Sequence, residues 1–126
     1  MWLIIGGAYQ GKARYASSLA EVGAGTIDFV QGTDMKPEEA YGKKVIINLH
    51  LYIKALLEKN IDPYEDIRLL CKEDKIITIN ELGCGVVPID KDDRNWREIS
   101  GRISCILAKE ADHVVRMTCG IPLVLK

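Results

Sequence analysis

Short runs of consecutive apolar residues alternate along this chain with segments whose apolar residues recur at helical spacing. Continuous apolar runs of four to six residues that end in glycine or polar residues predict strands, and those buried on both faces are typical of a parallel sheet. The runs lie at residues 2–5, 26–30, 44–48, 75–79, 113–118 and 121–125. Cys119 and Gly120 separate the last two, so we expect these two strands to form an antiparallel pair.

The segments between the strands predict four helices, because their apolar residues recur three and four positions apart. The residues expected to begin or end these helices are Lys12, Gly23, Asn60, Asp62 and, for the long fourth helix, Asp92 or Asp93. Strands alternating with helices predict an α/β fold with right-handed crossovers and a mainly parallel sheet. The 126 residues form one domain of ordinary size, spanning 1–126.

Charge and hydropathy exclude two classes of partner. The net charge is -1 at pH 7, so the chain offers no basic field for nucleic acid. No apolar run reaches the roughly 18 residues that cross a membrane. The first strand has no charged segment ahead of it, so we expect a cytoplasmic protein rather than an exported one.

The loop after the first strand has the spacing of a phosphate-binding loop. Glycines let successive backbone N–H groups point at phosphate oxygens, the following helix adds its positive end, and a lysine reaches the β- and γ-phosphates. The residues expected to bind the nucleotide are Gly6, Gly7, Ala8, Tyr9, Gln10, Gly11, Lys12, Ala13 and Arg14. Ala13 stands where the pattern has a Ser or Thr that holds Mg²⁺, which predicts a weakened Mg²⁺ site. The alternative is a chance glycine turn.

Four motifs, in order, resemble the bifunctional adenosylcobinamide kinase/adenosylcobinamide-phosphate guanylyltransferase family. They are I-I-G-G-A-Y-Q-G-K-A-R-Y-A at 4–16, T-I-N-E-L-G-C-G-V-V-P at 78–88, R-N-W-R-E at 94–98 followed by G-R, and G-I-P-L-V-L-K at 120–126. The resemblance covers about the first twenty residues and about the last fifty.

The resemblance implies a three-layer, RecA-like P-loop fold and a place in cobalamin synthesis. The family phosphorylates adenosylcobinamide with ATP or GTP, then transfers GMP from GTP through a guanylylated histidine, and its members are trimers. We therefore expect GTP or ATP with Mg²⁺ as cofactors, adenosylcobinamide as a candidate substrate, and a homo-oligomer.

Three departures separate the chain from that family. Ala13 replaces the hydroxyl residue, and Asn48 stands where the third strand usually ends in Asp. The family's segment with the nucleotidylated histidine has no counterpart, because residues 32–44 contain no His. Guanylyl transfer is therefore not expected. His50 follows the third strand on the ligand side, and its alternative role is that of a hydrogen-bonded histidine in the first turn of a helix.

The other candidate site residues follow the strand ends, where ligands bind in such sheets. Lys12 and Glu81 are the candidate catalytic residues, and Glu81 would act on Mg²⁺ through water or as a general base. Its alternative is an exposed loop carboxylate. The candidate substrate-binding residues are Asn48, His50, Gly83, Gly85, Arg94 and Arg97.

Arg94 and Arg97 carry guanidinium groups suited to phosphate, or else they belong to a solvated helix face. No metal ligand is assigned. Two functions remain open. The first is an NTP-dependent cobinamide kinase that lacks guanylyl transfer. The second is a degenerate, non-catalytic GTP- or ATP-binding module that acts as a regulator or subunit.

Overall fold

The computed structural model of the chain describes residues 1–20, 29–33, 36, 42–83 and 85–126. The strands within these residues are β1 (Trp2–Gly6), β2 (Phe29–Gln31), β3 (Val45–Ile47), β4 (Ile76–Asn80), β5 (His113–Thr118) and β6 (Ile121–Val124). The helices are α1 (Lys12–Leu19), α2 (Leu49–Glu58), α3 (Pro63–Leu70) and α4 (Lys91–Glu110).

The strands form one sheet in the order β2-β3-β4-β1-β5-β6. Neighbouring strands run parallel, except β5 and β6, which pair antiparallel across the Cys119–Gly120 turn. Ile4 of β1 lies beside Thr78 of β4 and Val115 of β5. The predicted α/β class, with a mainly parallel sheet and an antiparallel C-terminal pair, is confirmed. Because β1 lies between β4 and β5, the glycine loop leaves the sheet near its centre.

Helices cover both faces of the sheet and make a three-layer fold. On one face α1 places Ala16 against Ile4 and Val45. On the other face α2, α3 and α4 form the larger apolar cluster, whose helical members include Tyr52, Ile53, Ile67, Ile103 and Leu107. A fully buried Leu or Ile contributes roughly 1.5–3 kcal/mol, so this second face supplies the larger share of the core's stabilisation.

The starts of the helices follow from local chemistry, with one correction. Asp62 caps α3 by accepting a hydrogen bond from the N–H of Tyr64, with Pro63 as the first helical residue, as predicted. The prediction that Asp92 or Asp93 caps the long helix is wrong. Asp90 is the cap of α4, because its backbone is extended and its carboxylate accepts from the N–H of Asp92. The other two acids lie in the first turn, where they favour the positive end of the helix.

Two expectations fall on residues beyond the described ranges. The predicted cap at Gly23 lies there, and so does the start of the predicted strand at 26–30, of which the structure shows the end within β2. In the described part of the chain, no helix has both the length and the apolar character to cross a membrane.

Candidate functional site

The glycine loop (residues 6–12) makes a tight turn between the end of β1 and the start of α1. Gly6 and Gly11 adopt φ angles of 151° and 92°, which side chains strongly disfavour. Gly11 caps α1 with no side-chain hydrogen bond, so the first N–H groups of the helix have no capping side chain. Such a helix start attracts an anion.

Two neighbouring strands hold the glycine loop in place. The carbonyl of Gly6 accepts a hydrogen bond of 3.0 Å from the N–H of Glu81, which follows β4. The backbone carbonyl of Gln10 accepts from the N–H of Gly120 at 3.1 Å, and its side-chain oxygen accepts from the N–H of Cys119 at 2.6 Å. The β5–β6 turn therefore supports the loop. No sequence pattern pointed to this contact, because the partners lie more than a hundred residues apart.

Lys12 is almost fully enclosed at the start of α1. Its side chain is 5% exposed, and its ammonium donates a hydrogen bond to the carbonyl of Gly7. Burial lowers the pKa of Lys12, and the negative charge of Glu81 partly opposes this effect. A phosphate group at the glycine loop would supply the close negative charge that this ammonium lacks.

His50 is fixed in the first turn of α2 by groups from two other elements. Its Nδ1 accepts a hydrogen bond of 3.3 Å from the N–H of Asn80, and its backbone carbonyl accepts one of 2.7 Å from Nε1 of Trp96. The rings of His50 and Trp96 stack with centroids 6.2 Å apart. Burial, with a smaller contribution from the positive charge of Lys12, lowers the pKa of His50 to about 4.

These groups surround a cavity of about 390 Å³ at the carboxyl ends of the strands, here named the glycine-loop cavity. Its lining includes the predicted residues Ala8, Tyr9, Gln10, Gly11, Lys12, Ala13, Arg14, Asn48 and His50. Asn80 also lines it, and its side-chain oxygen is a buried acceptor with no hydrogen-bond partner among the residues that the structure describes. The sequence analysis missed Asn80 as a site residue, although its place at the end of β4, beside Glu81, was a usable signal.

Glu81 has a partner that the sequence did not reveal. Its carboxylate accepts from Nη2 and Nε of Arg116, at 3.2 and 3.3 Å. Arg116 lies on β5, and β1 lies between β5 and β4 in the sheet. The order of the strands therefore brings Arg116 and Glu81 together. Glu81 is therefore a carboxylate oriented by an ion pair, next to the glycine loop through its backbone bond to Gly6 but not among the residues that line the glycine-loop cavity.

Arg94 and Arg97 bind the backbone of the loop that follows β4. Arg97 donates to the carbonyls of Gly83, Gly85 and Val86 at 2.5, 3.2 and 2.9 Å. Arg94 donates to the carbonyl of Ile89 at 2.8 Å. The predicted residues Gly83, Arg94 and Arg97 line a separate cavity of about 510 Å³, so the structure does not bring them to the glycine loop.

Replacing Arg97 with alanine should loosen the loop after β4, at residues 83 and 85–89, while leaving the fold intact. Three backbone carbonyls lose their donor, and each exposed hydrogen bond contributes about 0.5–1.5 kcal/mol. We expect amide hydrogen exchange in this loop to accelerate roughly tenfold. Arg102→Ala is the matched control, because the partner of Arg102 among the described residues is Glu98 on the same helix. Equal exchange in both variants would show that Arg97 does not hold the loop.

A larger cavity of about 880 Å³ lies between the end of α2 and the starts of α3 and α4. Trp96 forms part of its wall, and Nζ of Lys54 lies 4.7 Å from the centre of the indole ring. This cavity lacks the backbone N–H groups and the buried lysine of the glycine loop, so we place the candidate site in the smaller one. Within the described ranges, no three His, Cys, Asp or Glu side chains gather to hold a metal ion.

Comparison with known proteins agrees with the fold. A family model described as cobinamide kinase / cobinamide phosphate guanyltransferase matches residues 45–125. The chain is also similar to the bifunctional adenosylcobalamin biosynthesis protein CobU of Salmonella typhimurium, with 33% identity over 78 residues. That alignment covers 57% of this chain and 42% of the relative, so the chain spans well under half the length of that protein.

The family match extends from β3 to the last residues of the chain and leaves the glycine loop outside it. The glycine loop is a candidate site because of its geometry alone. It joins β1, near the centre of the sheet, to α1, and it shares a cavity with residues at the ends of β3 and β4. The matched region contains Glu81, the two loop-binding arginines and the C-terminal strand pair. By this match, the chain belongs to the cobinamide kinase / cobinamide phosphate guanyltransferase family.

Proposed function

We propose that the chain is a nucleotide-binding protein of cobalamin biosynthesis that phosphorylates adenosylcobinamide with GTP or ATP. The observation that carries the proposal is Lys12, a nearly buried cation at the start of α1 that borders the glycine-loop cavity. The reaction, phosphorylation of adenosylcobinamide, is inferred from the family to which the chain belongs. Residues 1–126 would form one domain that carries it out. The proposal stops at phosphorylation, because residues 32–44 contain no histidine to receive GMP.

The chain's own groups suit the triphosphate. The N–H groups of the glycine loop and of the start of α1 would bind the phosphate oxygens, and Lys12 would balance charge at the β- and γ-phosphates. Phosphoryl transfer depends almost entirely on positioning and on charge stabilisation, so these groups supply most of what the reaction needs from the protein.

The donors near the loop also fit Mg²⁺, which takes oxygen ligands and retains several waters. The unpartnered amide oxygen of Asn80 is one such donor, and the carboxylate of Glu81 is another that would act through water. When bound, Mg²⁺ would supply positive charge that offsets the charge of the phosphates. Ala13 offers no hydroxyl, so the chain would hold the ion through fewer direct bonds.

Glu81 would orient the hydroxyl group of the acceptor. In the transfer, the acceptor oxygen forms a bond to the γ-phosphorus while the bond between that phosphorus and the β,γ-bridging oxygen breaks. The hydroxyl proton leaves to a base or to solvent. Arg116 directs the carboxylate through contacts from its Nη2 and Nε.

A second candidate function is a non-catalytic nucleotide-binding module that acts as a regulator or subunit. The observations that favour it are the missing hydroxyl at Ala13 and the amide at Asn48 in place of a carboxylate. Binding of the triphosphate needs neither group, whereas metal placement for catalysis does.

Lys12→Ala should weaken triphosphate binding by about 1–3 kcal/mol, the usual cost of losing a charged hydrogen-bond donor. Calorimetric titration with GTP and with ATP, each with and without Mg²⁺, measures the change. Lys59→Ala is the matched control, because Lys59 is an exposed lysine at the end of α2, away from the cavity. Unchanged affinity in Lys12→Ala would show that the glycine loop is not the nucleotide site.

Formation of phosphorylated cobinamide separates the two functions. Product that depends on Mg²⁺ and on Lys12 supports the kinase. Tight triphosphate binding that is indifferent to Mg²⁺, with no product, supports the regulator or subunit.

We also propose that the chain works as a homo-oligomer, a trimer by its resemblance to the family. In support, the edge strand β6 exposes Ile121, Leu123 and Val124, which a second copy would cover. Sedimentation of the purified chain measures the assembly directly.

A further inference from the structure

His50 presents one ring nitrogen to the glycine-loop cavity. Its Nδ1 is occupied by the N–H of Asn80, its ring stacks on Trp96, and its backbone is held by the indole N–H. Among the residues that the structure describes, nothing forms a hydrogen bond with its Nε2. The residue is only 4% exposed and lines the glycine-loop cavity, where Nε2 can meet a bound group.

The hydrogen bond at Nδ1 decides which nitrogen carries the proton. A backbone N–H can only donate, so Nδ1 must offer its lone pair to Asn80. A neutral imidazole then carries its single proton on Nε2. A charged ring would also carry a hydrogen on Nδ1, facing the N–H of Asn80, so the ring that accepts this bond is neutral and its proton is assigned to Nε2 from the hydrogen-bond partner.

The same arrangement excludes nucleophilic catalysis by His50. A histidine that accepts a nucleotidyl group must attack with a free lone pair, and both nitrogens of this ring are committed. The lone pair of Nδ1 is bound to Asn80, and Nε2 carries the hydrogen. His50 is therefore not a substitute for the guanylylated histidine of its family.

We propose that the Nε2–H of His50 donates a hydrogen bond to an oxygen of the terminal phosphate of a bound nucleoside triphosphate. His50 lines the same cavity as Lys12, and a lysine at this place in a phosphate-binding loop reaches the β- and γ-phosphates. His50 lines this cavity from the start of α2, whereas the glycine loop lines it from the end of β1 to the start of α1. It thereby distinguishes a triphosphate from a diphosphate. This inference rests on the proposed nucleotide-binding function.

A pair of variants separates this role from a structural one. His50→Asn keeps an acceptor for the N–H of Asn80 but removes the donor from the position of Nε2. His50→Gln is the conservative partner, because its longer amide carries N–H groups near that position. We expect His50→Asn to lower affinity for GTP or ATP roughly tenfold, as for a lost hydrogen bond to a charged group. Affinity for GDP or ADP should stay within about twofold, and His50→Gln should recover most of the triphosphate affinity.

Nitrogen NMR of the wild-type chain provides a second test that needs no variant of His50. The sequence has two histidines, so a His113→Asn sample assigns both rings. We expect the pattern of a neutral ring protonated on Nε2, and a downfield shift of that proton on addition of triphosphate but not of diphosphate.

Three results would overturn the inference. A ring protonated on Nδ1 would contradict the tautomer. If His50→Asn loses affinity for triphosphate and for diphosphate equally, His50 has a structural role only, and the proposed function stays intact. Failure of the wild-type chain to bind any triphosphate would instead overturn the proposed function, and this inference with it.

Discussion

Gly6→Ala should destabilise the chain by about 2–5 kcal/mol, because a strained backbone angle and a close backbone contact would add. The φ angle of Gly6 is 151°, which residues with a side chain rarely adopt. A Cβ there would lie 2.6 Å from the carbonyl oxygen of Met117 on β5. That neighbour is backbone of a strand that is paired on both sides, with β1 and with β6, so it cannot move aside without disturbing the sheet. Chemical denaturation of the purified variant measures the loss.

Gly7→Ala is the matched control, one residue further along the same loop. The added Cβ would meet only Cγ of Gln10, at 3.6 Å, which is ordinary contact, and Gly7 is not among the residues with positive φ. We expect a change within about 1 kcal/mol, typical of a tolerated substitution. Similar losses in both variants would mean that β1 and β5 do not approach as closely at Gly6 as the structure shows.

The elements that lead into the site were predictable because their signals are local. The apolar run of β1, the glycines after it and the helical spacing beyond Lys12 each act within a few residues. The same is true of α3, where Asp62 and Pro63 define the start. The start of α4 was not resolved by such signals. Three aspartates fall among four residues at 90–93, and only the backbone angle at Asp90 decides which of them is the cap.

The contacts that organise the site were not predictable from the sequence, because they join distant segments. Glu81 and Arg116 are 35 positions apart, and Trp96 and His50 are 46 apart. Each contact depends on the order of strands in the sheet or on the packing of one helix against another. Apolar periodicity predicts that such packing occurs, but it does not predict which polar side chains then meet.

The arginines of α4 show a second reason why the sequence could not predict the site: residue type does not identify the binding partner. Guanidinium groups bind phosphate oxygens and carbonyl oxygens with similar geometry. The sequence left two roles open for Arg94 and Arg97, phosphate binding or a solvated helix face, and the structure shows them bonded to the loop after β4. Residue type alone could not tell whether the acceptor is a ligand or the loop itself. In the structure the loop carbonyls accept these bonds, so any role of the two side chains in substrate binding would pass through the shape of the loop.

The stability of the chain should fall by about 3 kcal/mol between pH 6.5 and pH 4 through His50 alone, at 1.36 kcal/mol per unit of pKa shift. The pKa of His50 is lowered from 6.5 to about 4. Between these pH values the unfolded chain therefore binds a proton at this histidine, whereas the folded chain does not. The free energy of unfolding is therefore highest above pH 6.5 and declines as the pH falls through the window.

His50→Asn isolates this contribution, because asparagine does not titrate and still accepts from the N–H of Asn80. Carboxylate protonation is common to both proteins and cancels in their difference. Urea denaturation from pH 4 to pH 7.5 should show the variant less stable than the wild type at neutral pH, with the gap closing or reversing toward pH 4. A difference that stays constant with pH would show that the His50 imidazole can be protonated in the folded chain. A ring that takes up a second proton cannot keep accepting from the N–H of Asn80 through Nδ1. The contacts of His50 with Asn80 and Trp96 would then be looser than the structure shows.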